Sequence, residues 1–176
     1  MSLLEILYFP DEQLRKPCET VTVFDENLSN SIADMFETMY ENEGIGLAAP
    51  QVGIHKKICV IDIEGNKDPK DQLVLINPKI TEKSGETGID EGCLSVPGLR
   101  AHVDRALKIK VTAQNLKGEE FTIDAEELLA ICIQHELDHL DGKLFIDYLS
   151  PLKVNLYRKK AEKLARERKN QSKNKA

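Results

Sequence analysis

One short segment near residue 135 strongly limits how this chain can fold. His135, Glu136 and His139 form the pattern H-E-x-x-H. In an α-helix, residues four apart lie on the same face, with Cβ atoms roughly 5–6 Å apart. Two imidazoles at this spacing can bind one metal ion, while Glu136 projects beside it. The pattern predicts a helix that contributes two ligands to a metal site. The alternative is a solvated helix in which the two histidines occur at this spacing by chance.

The flanking residues also favour a helix. Asp124 is suited to an N-cap position, and Glu127 three residues later would complete a capping box. Gly142 is a suitable residue to end the helix. Apolar residues recur at helical spacing on the face that leads to the histidines, namely Leu128, Ile131 and Cys132. We therefore expect the metal to lie in a poorly hydrated environment.

Length and composition indicate a single globular domain over residues 1–176, with enough chain to bury a sizeable core. No apolar run approaches the length of about 18 residues that a membrane span needs. The N-terminus lacks both the basic start and the small-residue cleavage site of a signal peptide. The four cysteines show no spacing typical of a disulfide scaffold, which favours a reducing compartment.

Charge is distributed unevenly along the chain. The whole sequence has a net charge of −6, but residues 151–176 contain ten Lys or Arg and only two Glu, for a net charge of +8. The first 150 residues therefore have a net charge of −14. A basic tail on an acidic body suggests a polyanionic partner such as RNA. A solvated helix with a frayed end explains the same composition, and the sequence does not decide between the two.

Hydrophobic patterning predicts two further helices, one in the first quarter of the chain and one at its C-terminus. Residues 25–43 form an amphipathic pattern that Gly44 would end. Ser150 and Pro151 have the chemistry of an N-cap and a first helical position, and they open a basic amphipathic C-terminal helix. We expect that helix to fray after about Asn170.

Strands are predicted between these helices. Residues 58–63 and 73–76 are β-prone runs, and Asn77-Pro78 would end the second. Residues 106–115 alternate between polar and apolar and turn at Lys117-Gly118 into 121–123, which predicts a hairpin. We therefore predict an α+β domain, with largely antiparallel β-sheets packed around a central metal-binding helix.

A catalytic zinc-type site needs a third protein ligand. Cys132 shares the face of the histidines, but a short thiol at one end of that helix edge cannot reach an ion held between His135 and His139. Phe145 stands where a metzincin protease requires a third histidine, so that class is excluded. A downstream Glu ligand, as in other zinc peptidases, would have to be Glu162 or Glu167, and neither is attractive because both lie in the basic tail.

The segment Glu91-Gly92-Cys93-Leu94-Ser95 is a better source of the third ligand. Cys93 lies among turn-forming residues that can fix a loop. A thiolate with two imidazoles suits a borderline-soft divalent metal. A cysteine in such a loop can equally be a small packed residue. We have no physical explanation for Glu91 from the sequence.

The segment from Gly44 to Gln51 reads G-I-G-L-A-A-P-Q. It has neither the Lys-Ser/Thr of a phosphate-binding loop nor the glycine spacing of a dinucleotide fingerprint. Its small residues would let another backbone come close, and Gln51 offers an amide donor. Taken alone, the segment is better explained as a flexible turn after a helix.

Together, G-I-G-L-A-A-P-Q, E-G-C-L-S and Q-H-E-L-D-H resemble the three signature motifs of the peptide deformylase family, in that family's order and approximate spacing. The N-terminal segment from Leu7 to Arg15 is also similar. The resemblance extends to about Pro151. The motif E-G-C-L-S with a basic helical C-terminus resembles the type found in Gram-negative bacteria and organelles. No transit peptide is evident, so the bacterial cytoplasm is the expected location.

The resemblance implies a hydrolase that removes the N-formyl group from the formylmethionine of nascent polypeptides and releases formate. Cys93, His135 and His139 would bind one divalent metal, commonly Fe²⁺, with Zn²⁺, Ni²⁺ or Co²⁺ as substitutes. Glu136 would be the general base and then the acid. The implied oxyanion donors are the amide of Gln51 and the backbone N–H of Leu94. The positions implied to border the substrate are Ile45, Gly46, Leu94, Ile131 and Cys132.

The implied partners are N-formylmethionyl nascent peptides and the ribosome, which the C-terminal helix would contact near the exit tunnel. We expect a monomer with no membrane association. Two alternatives remain from the residues alone. One is a small zinc peptidase that cleaves ordinary peptide bonds, and the other is an RNA- or ribosome-binding module whose metal is structural.

Overall fold

A computed structural model describes residues 2–175 of the chain. Within that range it contains three α-helices and seven β-strands. The helices are α1 (Glu26–Glu41), α2 (Glu127–Leu140) and α3 (Pro151–Lys175). The strands are β1 (Gly46–Ala48), β2 (Ile58–Ile61), β3 (Leu73–Ser84), β4 (Thr87–Cys93), β5 (Val96–Arg105), β6 (Lys108–Gln114) and β7 (Glu120–Glu126).

The strands form two antiparallel sheets with α2 packed against them. The larger sheet has the order β1-β2-β3-β6-β7, and β4 pairs with β5 in a separate two-stranded sheet. One side of α2 shares a buried cluster with the large sheet, in which Ala130 and Ile133 pack with side chains such as Leu75 and Val111. The predicted α+β fold with antiparallel sheets around this helix is confirmed.

The helix α1 begins as its sequence predicts. The side chain of Asp25 accepts a hydrogen bond from the backbone N–H of Leu28, which satisfies one of the free donors of the first turn. Met35 and Met39 on its apolar face are fully buried. The helix ends at Glu41, and the left-handed residue that follows is Glu43 (φ 55°). Gly44 was therefore wrong as the residue that ends the helix.

The strand β3 continues through the point at which we expected it to stop. It runs to Ser84, past Asn77 and Pro78. The pairing of β3 with β6 shifts in register between Ile76 and Lys79, so Pro78 lies at an irregularity. A proline is tolerated at such a place because the ladder needs no N–H there. Asn77-Pro78 therefore lies at a shift in the pairing, but it does not end the strand as we predicted.

The start of α2 differs from the sequence prediction. Asp124 belongs to β7, where it lies opposite Lys110 on β6. The helix begins at Glu127, directly after the strand, and Glu126 in the N-cap position makes no side-chain capping bond. The predicted capping box at Asp124 was therefore wrong, because strand pairing with β6 continues up to the helix. At the other end, Gly142 has the expected left-handed conformation (φ 73°).

The β4–β5 hairpin was not predicted from sequence. The strand β4 has few apolar residues and includes Gly88, Asp90 and Gly92, so its sequence shows no alternation, although the burial of β5 alternates. The hairpin of β6 and β7, in contrast, was predicted and is confirmed. Its turn contains Gly118 with a left-handed backbone (φ 78°).

The helix α3 packs against the body through a narrow face. Tyr157 and Ala161 are buried, and the Tyr157 hydroxyl donates to the carbonyl of Pro97. The helix continues to Lys175, beyond Asn170, so the part in which we expected fraying is helical here. Its last turns are rich in Lys, Arg, Glu and Gln, which have high helix propensity. Among residues 2–175, no helix has the length and apolar character needed to cross a membrane.

The packing of α2 predicts a large difference between two leucines on that helix. Leu140 is 5% exposed in the core, whereas Leu128 is 41% exposed. We expect Leu140→Ala to lower the free energy of unfolding by about 3 kcal/mol, because it leaves a cavity. Leu128→Ala should change it by less than about 1 kcal/mol. Urea unfolding measures both, and equal losses would contradict the observed packing.

Candidate metal centre and active-site cleft

Three metal-binding side chains converge between the β4–β5 hairpin and α2. Cys93, His135 and His139 each direct one ligand atom to a common region, and these atoms lie within 4.8 Å of one another. The Cys93 Sγ is 3.4 Å from Nε2 of His139. Within residues 2–175 no other group of three or more His, Cys, Asp or Glu side chains has this geometry. The structure thus brings together the three predicted ligands.

The thiol of Cys93 is placed by a tight hairpin turn. Cys93 at the end of β4 pairs with Val96 at the start of β5, so only Leu94 and Ser95 form the connection. Ser95 is fully buried, and its carbonyl accepts a hydrogen bond from the backbone N–H of Phe9. The turn is therefore held from the N-terminal segment as well as by its own strands.

The two histidines lie one helical turn apart on α2, as the pattern predicts. Their ring centroids are 5.1 Å apart, and both rings are buried. Burial lowers the pKa of His139 well below its usual value, which keeps this imidazole neutral. Neutral imidazole is the form that binds a metal. Cys132, excluded from the ligand set by its reach, is not part of the donor group.

Glu91 is the main residue of the site whose role the sequence did not explain. Its Oε1 atom lies 2.8 Å from Nδ1 of His135, so Nε2 of that ring is left to face the metal site. The same carboxylate accepts two hydrogen bonds from Arg105, each 2.8 Å long. Burial alone would raise the pKa of Glu91, but the hydrogen bonds from Arg105 and His135 outweigh it, and the pKa is lowered.

Arg105 connects a second carboxylate to this group. It lies at the end of β5, and its Nη1 atom donates to Oδ2 of Asp138 over 2.7 Å. Asp138 precedes His139 on α2. Neither Arg105 nor Asp138 was identified from the sequence. Arg105 belongs to a hairpin that was not predicted, and nothing in the sequence indicated that it would lie beside α2.

Glu136 is buried next to an edge strand. A Cβ atom at Gly46 of β1 would lie 2.6 Å from Oε1 of Glu136 and 2.9 Å from Sγ of Cys132, so any side chain there would force the carboxylate or the thiol to move. The close neighbour of Gly46 is thus a carboxylate, not the backbone that the sequence suggested. Burial raises the pKa of Glu136 to about 7, although the neighbouring His135 opposes this. Its Oε2 atom is buried without a hydrogen-bond partner in the described residues.

Gln51 presents its amide nitrogen to the same region. Its Oε1 atom accepts a hydrogen bond from the backbone N–H of Ala48, which fixes the orientation of the amide. Its Nε2 atom lies 3.1 Å from Oγ of Ser95 and 3.5 Å from Sγ of Cys93. Gln51 itself is 2% exposed. The sequence reading of this segment as a flexible turn does not describe the site, since Gln51 is held on three sides.

A cleft of about 720 Å³ opens onto these groups. All predicted substrate-bordering residues line it together with Cys93, His135 and Glu136, namely Ile45, Gly46, Leu94, Ile131 and Cys132. Gln51 lines it as well. Residues that the sequence reading missed also contribute, including Ile89, Arg100 and Leu128. The roles assigned to these residues remain predictions, but their proximity is established.

The donor set suits a divalent metal. One thiolate and two imidazoles are ligands that borderline metals such as Zn²⁺ and Fe²⁺ accept. Glu91 supplies the acceptor that a metal-binding histidine normally has on its other nitrogen. A structural site is usually closed by a fourth protein ligand, and no fourth donor joins this group among residues 2–175. The geometry therefore favours a site at which a non-protein ligand can bind.

Comparisons with known proteins agree with this geometry. A sequence model of the polypeptide deformylase family matches residues 3–155, which is most of the chain. The chain belongs to the peptide deformylase family. The Cys-His-His group lies in the matched region.

Solved structures of this family are similar over nearly the whole chain. A peptide deformylase from Legionella pneumophila is 50% identical, with a TM-score of 0.89, and the match covers 95% of this chain and 98% of that one. One from Plasmodium falciparum is 36% identical, with a TM-score of 0.87 and coverages of 94% and 98%. One from Synechococcus elongatus, solved in complex with actinonin, is 43% identical, with a TM-score of 0.82 and coverages of 90% and 85%.

The bonds of Glu91 generate a prediction for metal affinity. In Glu91→Gln the buried Arg105 loses one of its counter-ions, and His135 loses a charged acceptor. We expect the affinity for Zn²⁺ to fall by about 10–100-fold. Competition with a chelator measures it. The matched control is Glu86→Gln, an exposed residue between β3 and β4, which should bind Zn²⁺ normally. Unchanged affinity in Glu91→Gln would contradict the proposal that Glu91 orients His135 for metal binding.

Proposed function

We propose that this member of the peptide deformylase family removes the N-formyl group from nascent polypeptides through the Cys93, His135 and His139 site. Family membership supports the reaction, a metal-dependent hydrolysis that releases formate and a free amine. The observation that best supports the site is the convergence of three donors beside a buried carboxylate with an unpaired oxygen. We further propose that residues 1–176 act as one catalytic domain.

The metal is proposed to be Fe²⁺, with Zn²⁺, Ni²⁺ or Co²⁺ as possible substitutes, because a thiolate and two imidazoles suit each of these ions. When bound, such an ion lowers the pKa of water and polarises a carbonyl oxygen. Cys93, His135 and His139 would hold it. Glu91 would hold His135 in the tautomer that leaves Nε2 free, as its 2.8 Å contact with Nδ1 supports.

Glu136 is proposed to move the proton. Its buried carboxylate takes a proton from the attacking water and later gives it to the amine nitrogen as the formyl C–N bond breaks. The fixed amide of Gln51 and the backbone N–H of Leu94 are proposed to donate to the oxygen on which negative charge develops. The hydrogen bond from Ala48 supports the role of Gln51, since it leaves only the NH₂ group to face the cleft.

The substrate is proposed to lie along β1, with Ile45 and Gly46 on one side and Leu94 of the hairpin on the other. Ile131 and Cys132 would contact the methionine side chain. Two observations support this arrangement. All five residues line one cleft, and β1 is an edge strand of its sheet, so an extended peptide can pair with it.

Formate release from formyl-Met-Ala tests the function. The wild type should release formate and should not cleave an unblocked peptide of ordinary sequence. Glu136→Gln should retain its metal but lose roughly 10²–10⁴-fold in rate, the usual share of acid–base catalysis. The control is Glu126→Gln, an exposed glutamate directly before the same helix. Internal cleavage without formate would indicate a peptidase, and a normal rate in Glu136→Gln would exclude that residue from proton transfer.

We also propose that the basic helix α3 contacts the ribosome near its exit tunnel, and that the chain acts as a cytoplasmic monomer. The helix is attached to the body through Tyr157 and Ala161, and most of its basic residues are exposed. Lysine and arginine on such a face attract phosphate groups of RNA. The four cysteines are all free, which agrees with a reducing compartment.

Charge neutralisation tests the ribosome contact. Replacing the exposed Lys159, Lys163 and Arg166 together with Gln should weaken co-sedimentation with ribosomes about 10-fold at low salt, since RNA affinity depends on such charges. Formyl-Met-Ala turnover should not change. The matched control replaces three exposed lysines elsewhere with Gln, namely Lys79, Lys83 and Lys117. Equal loss in both triple variants would mean that net charge alone, and not α3, directs the binding.

A further inference from the structure

A buried arginine links the metal site to the protein surface. Arg105 has a side chain that is 5% exposed, and it lies between two carboxylates. Its Nε and Nη2 atoms donate to Glu91, which contacts His135, and its Nη1 atom donates to Asp138. The contacts therefore run without interruption from His135 through Glu91 and Arg105 to Asp138.

Tyr148 holds the outer end of this chain of contacts. Its hydroxyl donates to Oδ2 of Asp138 over 2.8 Å, the same oxygen that Arg105 contacts. Its ring also lies 5.1 Å from the guanidinium carbon of Arg105, within the range of a cation–π interaction. Tyr148 is 52% exposed and lines a second cleft of about 1180 Å³, which shares no lining residue with the active-site cleft.

Asp138 is 19% exposed at its side chain, so its charge acts in a partly desolvated environment. If Arg105 had only Glu91 as a counter-ion, its whole positive charge would act on that carboxylate. Glu91 would then be a weaker acceptor for the Nδ1–H of His135, and the ring would be less firmly held and less basic towards a metal. Asp138 takes part of that charge and fixes the position of the guanidinium.

We propose that Asp138, held by Tyr148, is a positioning residue for the metal site: it fixes and partly neutralises Arg105, so that Glu91 can orient His135 and support its bond to the metal. This inference rests on the proposed function, because it assumes that His135 is a ligand. It gives Asp138, which directly precedes His139, and Tyr148, which lines the second cleft, a role in retaining the metal.

The rate of metal release tests this proposal. The Co²⁺-loaded protein is mixed with excess EDTA, and loss of the thiolate-to-cobalt absorption is followed. Asp138→Asn keeps the shape of the side chain and should release Co²⁺ about 10-fold faster, at the low end of the effect for a residue that holds a metal-binding imidazole directly. Tyr148→Phe keeps the ring over Arg105 and should release it about 3-fold faster, as for loss of one hydrogen bond.

Tyr40→Phe is the matched control. The wild-type Tyr40 hydroxyl also donates to a buried carboxylate, that of Asp62, over 2.6 Å. The other side-chain hydrogen bonds of this pair go to Gln72, Gly65 and Lys67, and none goes to the metal site or to the Arg105 group. This variant should release Co²⁺ at the wild-type rate. Urea unfolding of the metal-free proteins separates the proposal from a merely structural role. A structural role would lower the free energy of unfolding of the Asp138 and Tyr148 variants and leave their release rates unchanged.

The outcomes separate this inference from the proposed function. If the wild type shows no thiolate-to-cobalt absorption, both are wrong. If the wild type shows it but Asp138→Asn and Tyr148→Phe release Co²⁺ at the wild-type rate, only the inference is overturned. Should Asp138→Asn not fold, Tyr148→Phe decides alone, because it removes one exposed hydroxyl.

Discussion

The carboxylate of Glu91 joins the two parts of the molecule that build the site. It lies on β4, accepts hydrogen bonds from Arg105 on β5, and contacts His135 on α2. The contact with His135 connects the small sheet to the helix, and the turn that carries Cys93 lies opposite the two histidines as a result. Removing one partner of such a buried ion pair costs about 3–5 kcal/mol, because the other charge remains buried without compensation. The donor geometry therefore depends on an interaction that binds no metal itself.

The helix α2 has two functions that place opposite demands on its surface. One side packs Ala130 and Ile133 into the core beneath the large sheet, whereas the other buries polar side chains such as Glu136 and His139. Burying polar groups is costly unless each finds a partner. His135 and Gln134 find such partners, but Oε2 of Glu136 and Nδ1 of His139 are buried without one in the described residues.

Much of this arrangement could be predicted from the sequence, because it depends on local spacing. H-E-x-x-H predicted two imidazoles on one helical face, and three separated motifs indicated a family and a third donor at Cys93. What could not be predicted depends on contacts between distant residues. Nothing near Glu91 or Arg105 shows that β4 pairs with β5, and the strand character of Asp124 comes from its partner Lys110. The helix-start error at Asp124 thus arises where strand pairing overrides local preference, whereas α1 ends through local backbone bonds from Glu43 and Gly44 to its last turn.

The three candidate donors come from two separate parts of the fold. His135 and His139 share one stiff helix, so their separation is set by helical geometry, while Cys93 comes from a two-residue turn on a separate sheet. Helical geometry thus sets the spacing of the imidazoles, whereas the position of the thiol depends on how the small sheet packs against α2. Substitutions in the contact between hairpin and helix would therefore displace the sulfur and leave the two rings in register. One thiolate and two imidazoles are ligands that several borderline divalent ions accept, so the donor types alone do not single out one ion.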